Sequence, residues 1–443
     1  MSIEEARGYY EKVLDLLEAH HKWFSESLSL IASENVTSPA VREALITDLG
    51  HRYAEGTPGE RVYAGCRYID QIELLTNELA MKVFRSEFAD SRPISGVNAN
   101  LIVYTAFTQP GDVMLAMRIP AGGHTSMGPK KIGGTAGAVR GLDVRYFPFD
   151  EEAMNIDVDE TIKLVRSLEK EGNPPKLAMF GGSVFLFPHP VKELADVFHE
   201  AGALVTYDAA HVAGLIAAGK FQDPLREGAD IMTMSTHKTL PGPQGGLIVS
   251  YARYKEPLLK AVFPGNTSNT HLHHIAGKAI ALAEIMAFGE EYASQIIRNA
   301  KALAQALYER GFNVIGEKGG FTESHQVVID VSNYGLGGDL ERKLEDANII
   351  VNRNLLPWDI RRGLHYQNPG GLRLGVQEVT RLMMGPSEME YIAELMARVI
   401  IKGESPERVR QDVIEFRKQY RKIGYCFDSA EDAYRYIKLR GFF

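Results

Sequence analysis

The chain has 443 residues, of which 45% are hydrophobic and 24% are charged, and its formal net charge at pH 7 is −8. A chain of this length usually divides into two or more domains, and the negative charge argues against a general nucleic-acid binder. The two cysteines, Cys66 and Cys426, lie far apart without a CxxC pair, which indicates neither a disulfide framework nor a zinc cluster. We therefore expect a small-molecule ligand and a reducing cytoplasm.

Residues 1–40 are predicted to form a helical arm. Residues 4–28 carry an amphipathic pattern whose apolar stripe consists of Val13, Leu16, Leu17, His20 and Phe24. The segment lacks the basic and apolar regions of a signal peptide, and no apolar run in the chain reaches transmembrane length. A cytoplasmic location without membrane contact is the resulting expectation.

Residues 41–300 have the alternation typical of a large α/β domain. Between about residues 75 and 250, helical patterns such as VKELADVFHEAG separate short apolar runs, namely DVMLAM, VRYFPF, KLAMF, ALVTY, DIMTM and GLIVS. This rhythm predicts a mostly parallel sheet with crossover helices. A helical pattern then continues over residues 273–311 and predicts one long connector or two successive helices.

Residues 301–443 are predicted to form a smaller α+β domain. Its strand patterns are QVVIDV, NIIVN and GLRLGV, and its helical patterns are SEMEYIAELMARVI and PERVRQDVIEFRKQYRK. The last of these helices is basic, but Asp412 and Glu415 make a solvated face the better interpretation than a nucleic-acid surface. The HLHH stretch, 271–274, lacks a paired acid or thiol at metal-ligand spacing, so it is interpreted as structural and no metal site is predicted.

Two strand ends in the large domain carry an acid, an imidazole and an amine. LVTYDAAH ends in Asp208 and His211, and IMTMSTHK ends in Lys238. The segment between them is long enough for one crossover between parallel neighbours, and ligands of open α/β sheets bind beyond such strand ends. A lysine that forms a Schiff base and an acid that pairs with the pyridine nitrogen are typical of pyridoxal phosphate sites, and His211 could reach the phenolic oxygen.

Each of these residues also has an ordinary structural interpretation. A single lysine at a strand end is more often a solvated surface charge, and a single aspartate at a turn is more often a turn former. The combination, in this order and on consecutive strand ends, favours a cofactor site. The glycines that follow Lys238 in THKTLPGPQGG would let the backbone approach the cofactor closely.

Over nearly its whole length the chain resembles serine hydroxymethyltransferase, a fold-type I family of pyridoxal phosphate enzymes. The matching motifs occur in the family's order and are LIASEN (30–35), YAEGTPGERVYAG (53–65), AGGHTSMG (121–128), DAAHVAGLIAAG (208–219), THKTLPGPQGG (236–246), AVFPG (261–265) and VNRN (351–354). The resemblance implies conversion of serine and a tetrahydropterin, either tetrahydrofolate or a modified form, to glycine and the methylene-pterin. It also implies a homodimer, possibly paired into a tetramer, with active sites between two subunits.

The resemblance further implies which residues hold the cofactor. Lys238 would be the Schiff-base lysine and Asp208 the partner of the pyridine nitrogen. His124 would stack on the ring and act in catalysis, while His211 would approach the phenolic oxygen. The other implied cofactor contacts are Ser183 beside the ring, then Ser95, Gly96, Ser235, His237, Gly265 and Asn269.

The substrate contacts are implied in the same way. Arg373 would clamp the carboxylate with help from Ser33, since a guanidinium suits that planar anion. Glu55 and Tyr53 would come from the neighbouring subunit over the hydroxymethyl group, with Tyr63 near the carboxylate. Glu55 would move a proton or relay formaldehyde to the carrier, and Asn354 would contact the pterin together with Glu55.

The sequence departs from the family pattern around the phosphate and the pterin. A Ser-Gly-Ser is here Ser95, Gly96 and Val97, the arginine that follows the lysine is Gln244, and the Gly-rich loop after FPG is residues 266–269. Ser268 and Asn269 in this loop could replace the lost donors from across the dimer. Near the pterin, residues 119–121, Thr125 and GVQE (375–378) also differ.

The leading interpretation is a cytoplasmic homodimeric hydroxymethyltransferase that acts on serine or a close 3-hydroxy amino acid with a tetrahydropterin carrier. The alternative is a pyridoxal phosphate aldolase or transaldolase on 3-hydroxy amino acids that uses no pterin. A third interpretation is a small-ligand binding protein that keeps the fold without the chemistry. Intact Lys238, Asp208, Arg373 and Glu55 argue against the third, and the sequence leaves the identity of the pterin open.

Overall fold

A computed structural model describes residues 2–429 and 431–434. The α-helices in this part of the chain are α1 (Ile3–Ser25), α2 (Pro39–Leu45), α3 (Arg67–Phe84), α4 (Gly96–Phe107), α5 (Val158–Lys170), α6 (Val191–Glu200), α7 (Ala213–Ala217), α8 (Lys255–Lys260), α9 (Leu272–Glu309), α10 (Gly337–Asp346), α11 (Gln377–Arg381), α12 (Pro386–Ile400) and α13 (Pro406–Arg417). The strands are β1 (Leu28–Ser29), β2 (Gly56–Thr57), β3 (Glu60–Arg61), β4 (Phe88–Asp90), β5 (Val113–Ala116), β6 (Asp143–Tyr146), β7 (Phe149–Asp150), β8 (Asn155–Ile156), β9 (Leu177–Gly181), β10 (Leu204–Asp208), β11 (Ile231–Ser235), β12 (Gly246–Ser250), β13 (Asn313–Val314), β14 (Gln326–Asp330), β15 (Ile349–Ile350), β16 (Asn352–Asn354) and β17 (Gly371–Gly375).

The main sheet has seven strands in the order β4-β12-β11-β10-β9-β5-β6. The five strands from β11 to β6 pair in parallel, and β12 and β4 extend the sheet antiparallel. Strands β9 to β12 are buried on both faces of the sheet over almost their whole length. Their sequences are therefore continuous apolar runs and do not alternate between apolar and polar residues. The predicted α/β class and all six predicted strand runs are confirmed, whereas the three-residue β4 was not predicted.

Helix α9 is one uninterrupted helix of 38 residues, so the alternative of two successive helices is wrong. The segment contains no proline, and its many buried side chains pack against α2, α3 and α12 along its length. The predicted domain boundary near residue 300 falls inside this helix. The division into 1–40, 41–300 and 301–443 therefore stays a prediction.

The second sheet has four antiparallel strands in the order β13-β14-β17-β16. Its register places Arg373 of β17 between Val328 of β14 and Asn352 of β16. Helix α10 packs against β16 and β17. The predicted strands of the smaller domain are confirmed, and residues 430 and 435–443 of that predicted domain lie outside the described residues.

The N-terminal helix ends at Ser25, before the predicted residue 28, because Leu28 and Ser29 form a parallel strand with Ile349 and Ile350. No side chain of α1 is buried. Three members of its predicted apolar stripe stay largely exposed, namely Val13, Leu16 and Leu17. The predicted amphipathic helix is confirmed, but in this single chain its apolar stripe is not covered.

Candidate active site

The carboxyl ends of β10 and β11 bring the predicted acid and lysine together. The two strands are parallel neighbours, with Asp208 opposite Thr233, and Lys238 lies three residues beyond the end of β11. The short helix α7 lies in the connection between them. A Cβ at Gly214 of α7 would approach the Thr239 carbonyl oxygen to 2.1 Å, so only glycine lets this helix reach the turn that follows Lys238.

Asp208 is a buried acid held by two hydrogen bonds. Asn100 of α4 donates from Nδ2 to one carboxylate oxygen over 2.8 Å, and the Ala210 backbone N–H donates to the other over 3.0 Å. Asn100 is fixed in turn, because Thr233 donates to its side-chain oxygen and its Nδ2 also contacts Ser126 Oγ. The carboxylate is thus held in place at the carboxyl end of β10, and its oxygens can still accept a hydrogen bond from a cationic N–H.

Lys238 is buried, which rules out the interpretation of a solvated surface lysine. The pKa of its amine is lowered to about 8, because the effect of burial, to which Arg373 adds, outweighs the opposing effect of Asp208. A lysine with a lowered pKa has a larger neutral fraction at pH 7 and is a better nucleophile towards a carbonyl group. Its backbone carbonyl accepts a 2.6 Å hydrogen bond from the Asn35 side chain, which fixes the turn.

His124 contacts the side chain of Ser126, which in turn contacts Asn100. The His124 Nδ1 accepts the backbone N–H of Ser126 over 3.1 Å and lies 2.8 Å from the Ser126 hydroxyl. Burial lowers its pKa, with Lys238 and Arg373 adding to the effect and Asp208 opposing it. The structure therefore brings His124 to the Asp208 network through Ser126.

His211 lies three residues beyond the end of β10, and its Nδ1 is 2.9 Å from the side-chain nitrogen of Gln326. Its ring stacks on His325, with 5.7 Å between centroids and an interplanar angle of 21°. The pKa of His211 is well below its ordinary value because of burial first and then the charges of Lys238 and Arg373. His211 is consequently neutral at physiological pH.

Arg373 of β17 points its guanidinium at neutral groups only. Its Nη1 donates to the Ser183 carbonyl oxygen over 2.7 Å, and its Nε donates to Asn352 Oδ1 over 3.1 Å. No carboxylate of the described residues lies within ion-pair distance of it, and burial lowers its pKa to about 10. A buried guanidinium without an acid is unfavourable on its own, so the site is suited to an anionic ligand such as a carboxylate.

Ser33 lies on a loop between the strand of Arg373 and the turn of Lys238. Gly375 donates its backbone N–H to the Leu30 carbonyl oxygen over 2.8 Å. Gln377 donates from Nε2 to the carbonyl oxygens of Ile31 and Glu34 over 2.7 and 2.6 Å. Gln377 belongs to the GVQE segment that the sequence analysis grouped with the pterin region, but its contacts support the loop that carries Ser33.

The predicted phosphate contacts meet at the start of α4. Ser95 is the N-cap of this helix and accepts the Asn98 backbone N–H over 3.1 Å. A Cβ at Gly96 would lie 2.6 Å from Ser235 Oγ, so Ser235 sits directly over the first helical residue. Free N–H groups and the helix dipole make such a helix start favourable for a phosphate. His237 lies nearby in sequence, and its buried Nδ1 has no hydrogen-bond partner among the described residues.

A separate cluster contains the predicted residues Tyr53, Glu55, Tyr63 and Asn269. Ser268 donates to the carboxylate of Glu55, Tyr53 lies 3.4 Å from Ser268 Oγ, and the rings of Tyr53 and Tyr63 are 5.0 Å apart. Asn269 binds the backbone of Arg52 and Ala54 through its side chain, and Gly265 is exposed in the preceding turn. Within the described chain, no hydrogen bond or ring contact of this cluster leads to Lys238.

Asn354 ends β16, two residues from the Asn352 that contacts Arg373. It pairs with Gly371 across the sheet, and its side chain donates to the Leu355 carbonyl oxygen over 2.7 Å. Among the described residues no group of histidines, cysteines and acids is arranged to hold a metal ion. The HLHH histidines instead pack on one another, with His273 and His274 4.4 Å apart between ring centroids.

Sequence reasoning missed four polar residues of the site, namely Asn100, Ser126, Gln326 and Asn352. Each is uncharged and contacts a predicted site residue that is distant in sequence, except for Ser126 beside His124. A polar residue in the middle of the apolar α4, or at the start of the apolar β14, was the only available signal. That signal predicts burial with a partner but does not identify the partner.

Pyridoxal phosphate needs an amine for its aldehyde, an acid for its ring nitrogen and a site for its phosphate. Lys238, Asp208 and the start of α4 meet these needs from one sheet edge, so the residues present fit the cofactor. Together with the mostly parallel seven-stranded sheet, they define a pyridoxal phosphate-dependent enzyme of fold-type I.

Comparison with known proteins gives the family within this class. The family model "Serine hydroxymethyltransferase" matches residues 8–396. A serine hydroxymethyltransferase from Cenarchaeum symbiosum is 58% identical over 435 residues, which cover 98% of this chain and 99% of that protein. One from Nitrosopumilus maritimus is 56% identical over 440 residues, covering 99% and 100%, and one from Pyrococcus horikoshii is 54% identical over 429 residues, covering 95% and 98%.

This chain belongs to the serine hydroxymethyltransferase family, as its motifs led us to expect. Members are pyridoxal phosphate-dependent transferases that interconvert serine and glycine with tetrahydrofolate as co-substrate. In the described part of this chain, no helix combines the length and the apolar character needed to cross a membrane.

Proposed function

We propose that this chain interconverts serine and glycine with tetrahydrofolate, or a modified tetrahydropterin, as the one-carbon carrier. The observation that carries the proposal is the buried Lys238 beside Asp208 on adjacent strand ends, within a chain of this family. We also propose that the enzyme works in the cytoplasm. Full-length similarity to hydroxymethyltransferases favours this function over the pterin-independent aldolase.

Pyridoxal phosphate, when bound, supplies an electron sink for the electron pair of a bond broken at the substrate α-carbon. Lys238 would hold it through the amine, and Asp208 would keep a proton at the pyridine nitrogen. His211 would donate to the phenolic oxygen, and His124 would cover the ring. Ser95, Gly96 and Ser235 would bind the phosphate through backbone and hydroxyl donors, with His237 and Ser183 completing the enclosure.

Arg373 would bind the substrate carboxylate with two parallel N–H donors, because its charge has no acid of its own among the described residues. Ser33 would add a hydroxyl from the loop on the other side. The clamp would orient the amino acid so that the bond to be broken lies near Lys238 and His124. Asn354 would contact the carrier from the end of β16.

Glu55, Tyr53 and Tyr63 would act in the active site of a second copy of this chain. Their contacts stay within their own cluster in one chain, and α1 leaves Val13, Leu16 and Leu17 exposed, with Leu16 at 62%. Such an exposed apolar stripe indicates a protein partner. A homodimer would cover the stripe and bring Glu55, Gly265 and Asn269 of one copy to Lys238 of the other.

The experiment is to measure serine cleavage by the purified protein with and without tetrahydrofolate and modified tetrahydropterins. We expect turnover of serine to depend on one of these carriers and to produce glycine in equal amount. Cleavage of a bulkier 3-hydroxy amino acid without a carrier is the comparison, and serine cleavage that gains nothing from any carrier would instead identify the aldolase.

A further inference from the structure

We propose that Gln326 is a positioning residue that fixes the proton of His211 on Nε2 and links that ring to the carboxylate-binding Arg373. Gln326 begins the predicted strand QVVIDV, and its side chain does not belong to the predicted catalytic or binding set. The role that we give to this arrangement rests on the proposed function. The position of the proton does not, because it depends only on contacts within this chain.

The orientation of the Gln326 amide is fixed by two backbone groups. Its Oε1 accepts the Phe185 N–H over 2.7 Å, and its Nε2 donates to the Ser183 carbonyl oxygen over 2.9 Å. A backbone N–H can only donate and a carbonyl oxygen can only accept, so the amide cannot be reversed without breaking both bonds. Gln326 is fully buried, where such losses are costly.

The fixed amide decides the tautomer of His211. The same Nε2 lies 2.9 Å from His211 Nδ1 and has its second hydrogen available for it. Nδ1 must therefore be the acceptor, and a neutral imidazole then carries its proton on Nε2. His211 is neutral because burial, Lys238 and Arg373 all lower its pKa.

The resulting Nε2–H has no hydrogen-bond partner among the described residues, and it is available to an anionic ligand oxygen in the crevice. The charged and titratable groups around His211 are Lys238, Arg373, His325 and His124. None of them is an acid that could take this proton, and His325 stacks on the ring face rather than meeting its edge. The arrangement holds one hydrogen-bond donor ready before the ligand arrives.

Gln326 also connects His211 to the substrate clamp. The Ser183 carbonyl oxygen that accepts from Gln326 accepts Nη1 of Arg373 as well, over 2.7 Å. The Ser183 carbonyl thus holds both the Gln326 amide, which orients His211, and the Arg373 guanidinium, which would bind the substrate carboxylate. Moving Gln326 would disturb both.

The first test is the tautomer of His211 in the cofactor-free protein. Multiple-bond proton–nitrogen correlation spectra of protein labelled with ¹⁵N-histidine distinguish a protonated Nε2 from a protonated Nδ1, and His211→Asn identifies the signal. We expect Nε2–H in the wild type, a mixture in Gln326→Met, and Nδ1–H in Gln326→Glu, whose carboxylate can only accept. A wild-type signal of Nδ1–H would overturn the proposal without any variant and whatever the enzyme activity.

The second test is the affinity of the cofactor-free protein for pyridoxal phosphate against its analogue without the phenolic hydroxyl. We expect the wild type to bind the natural cofactor more tightly than the analogue. In Gln326→Met the ratio of the two dissociation constants should fall about tenfold, which is the size of effect expected for one hydrogen bond to a charged group. Gln222→Met is the matched control, because this buried glutamine accepts hydrogen bonds from the His189 backbone N–H and the Tyr207 hydroxyl and has no hydrogen bond to His211 or Gln326. Equal loss of preference in Gln222→Met, or no loss in Gln326→Met, would show that Gln326 has only a structural role.

Discussion

Asn100 donates a hydrogen bond of 2.8 Å to the Asp208 carboxylate from a helix that lies 108 residues earlier in the chain. Both side chains are buried, so the bond is the main support of the acid other than the Ala210 backbone N–H. The acid that would pair with the cofactor ring therefore depends on a residue outside every recognised motif.

Replacing Asn100 with alanine should weaken pyridoxal phosphate binding by roughly 10- to 100-fold, because a hydrogen bond to a buried charged group is worth about 1.5–3 kcal/mol. Titration of the cofactor-free protein by its visible absorbance measures the effect. Asn299→Ala is the control, since this buried asparagine donates to Thr380 and Met384 away from the site. Both variants should lose stability, but only Asn100→Ala should bind pyridoxal phosphate more weakly. Equal affinities of the two variants for the cofactor would show that Asp208 does not need the hydrogen bond from Asn100.

The lowered pKa of Lys238 predicts a pH-dependent stability of the cofactor-free protein. A lysine with a folded pKa of about 8 and an unfolded value of 10.5 binds fewer protons when folded, so its contribution to the free energy of unfolding rises as the pH increases from about 8 to 10.5. Lys238→Met should stabilise the cofactor-free protein at pH 7, by a few kcal/mol at most. That gain should shrink towards pH 10.5.

Chemical denaturation of the cofactor-free wild type and Lys238→Met at several pH values checks this prediction. Lys220→Met is the control, because Lys220 pairs with Glu290 near the surface. A stability difference between wild type and Lys238→Met that does not change with pH would contradict the lowered pKa. Lys238→Met should also lose the yellow colour of the cofactor-bound protein, since the amine that holds the cofactor is gone.

Gln244→Arg should tighten pyridoxal phosphate binding, because the arginine adds a charge at the turn that leads from Lys238. The neighbouring imidazoles of His237 and His274 would not oppose it, since burial lowers the pKa of each to about 4 and leaves both neutral at pH 7. The side chain of residue 244 is exposed, so the gain should be severalfold, below the full value of a buried contact.

The measurement for Gln244→Arg is the cofactor dissociation constant at two salt concentrations, with Gln244→Met as the uncharged control. We expect a tighter complex whose advantage shrinks as salt rises. An unchanged or weaker complex would mean that the phosphate is already neutralised by other donors, for example Ser268 of a second copy.

Glu55→Gln should reduce carrier-dependent serine cleavage by roughly 10²–10⁴-fold, the range for a general acid or base. The amide keeps the size of the side chain and can still bond Ser268, so the cluster should stay folded. Glycine binding, followed by the change in cofactor absorbance, should survive because Lys238 and Arg373 are untouched. Glu60→Gln, an exposed neighbour on β3, is the control.

If Glu55→Gln loses little activity in the presence of a tetrahydropterin, the proton transfer belongs to another group. Mixing Glu55→Gln with Lys238→Ala subunits tests the shared site. Two inactive homodimers should form heterodimers with one intact active site, and activity should reappear up to about a quarter of the wild-type value for random pairing. No recovery after confirmed subunit exchange would place Glu55 and Lys238 in the same chain's site.

The residue pattern along the chain predicted the strands, the order of the motifs and the approach of Asp208 to Lys238. Strand identity follows from local apolar runs, and parallel strands joined by a single crossover are neighbours in most sheets. The same local reasoning left one or two helices open over residues 273–311, because the pattern is periodic in both cases. It also placed the end of α1 too late, since the pairing of Leu28 with Ile349 is not a local interaction.

The polar contacts that support the site become visible in the folded chain and were not predicted. Asn100 reaches Asp208 from 108 residues away, and Gln326 reaches His211 from 115 residues away. Only the folded chain shows that Arg373 is buried with neutral partners and that Glu55 sits with Ser268 in its own cluster. A buried hydrogen-bond donor requires an acceptor at about 3 Å, and the pattern of residues along a chain indicates which side chains are buried but not which of them come into contact.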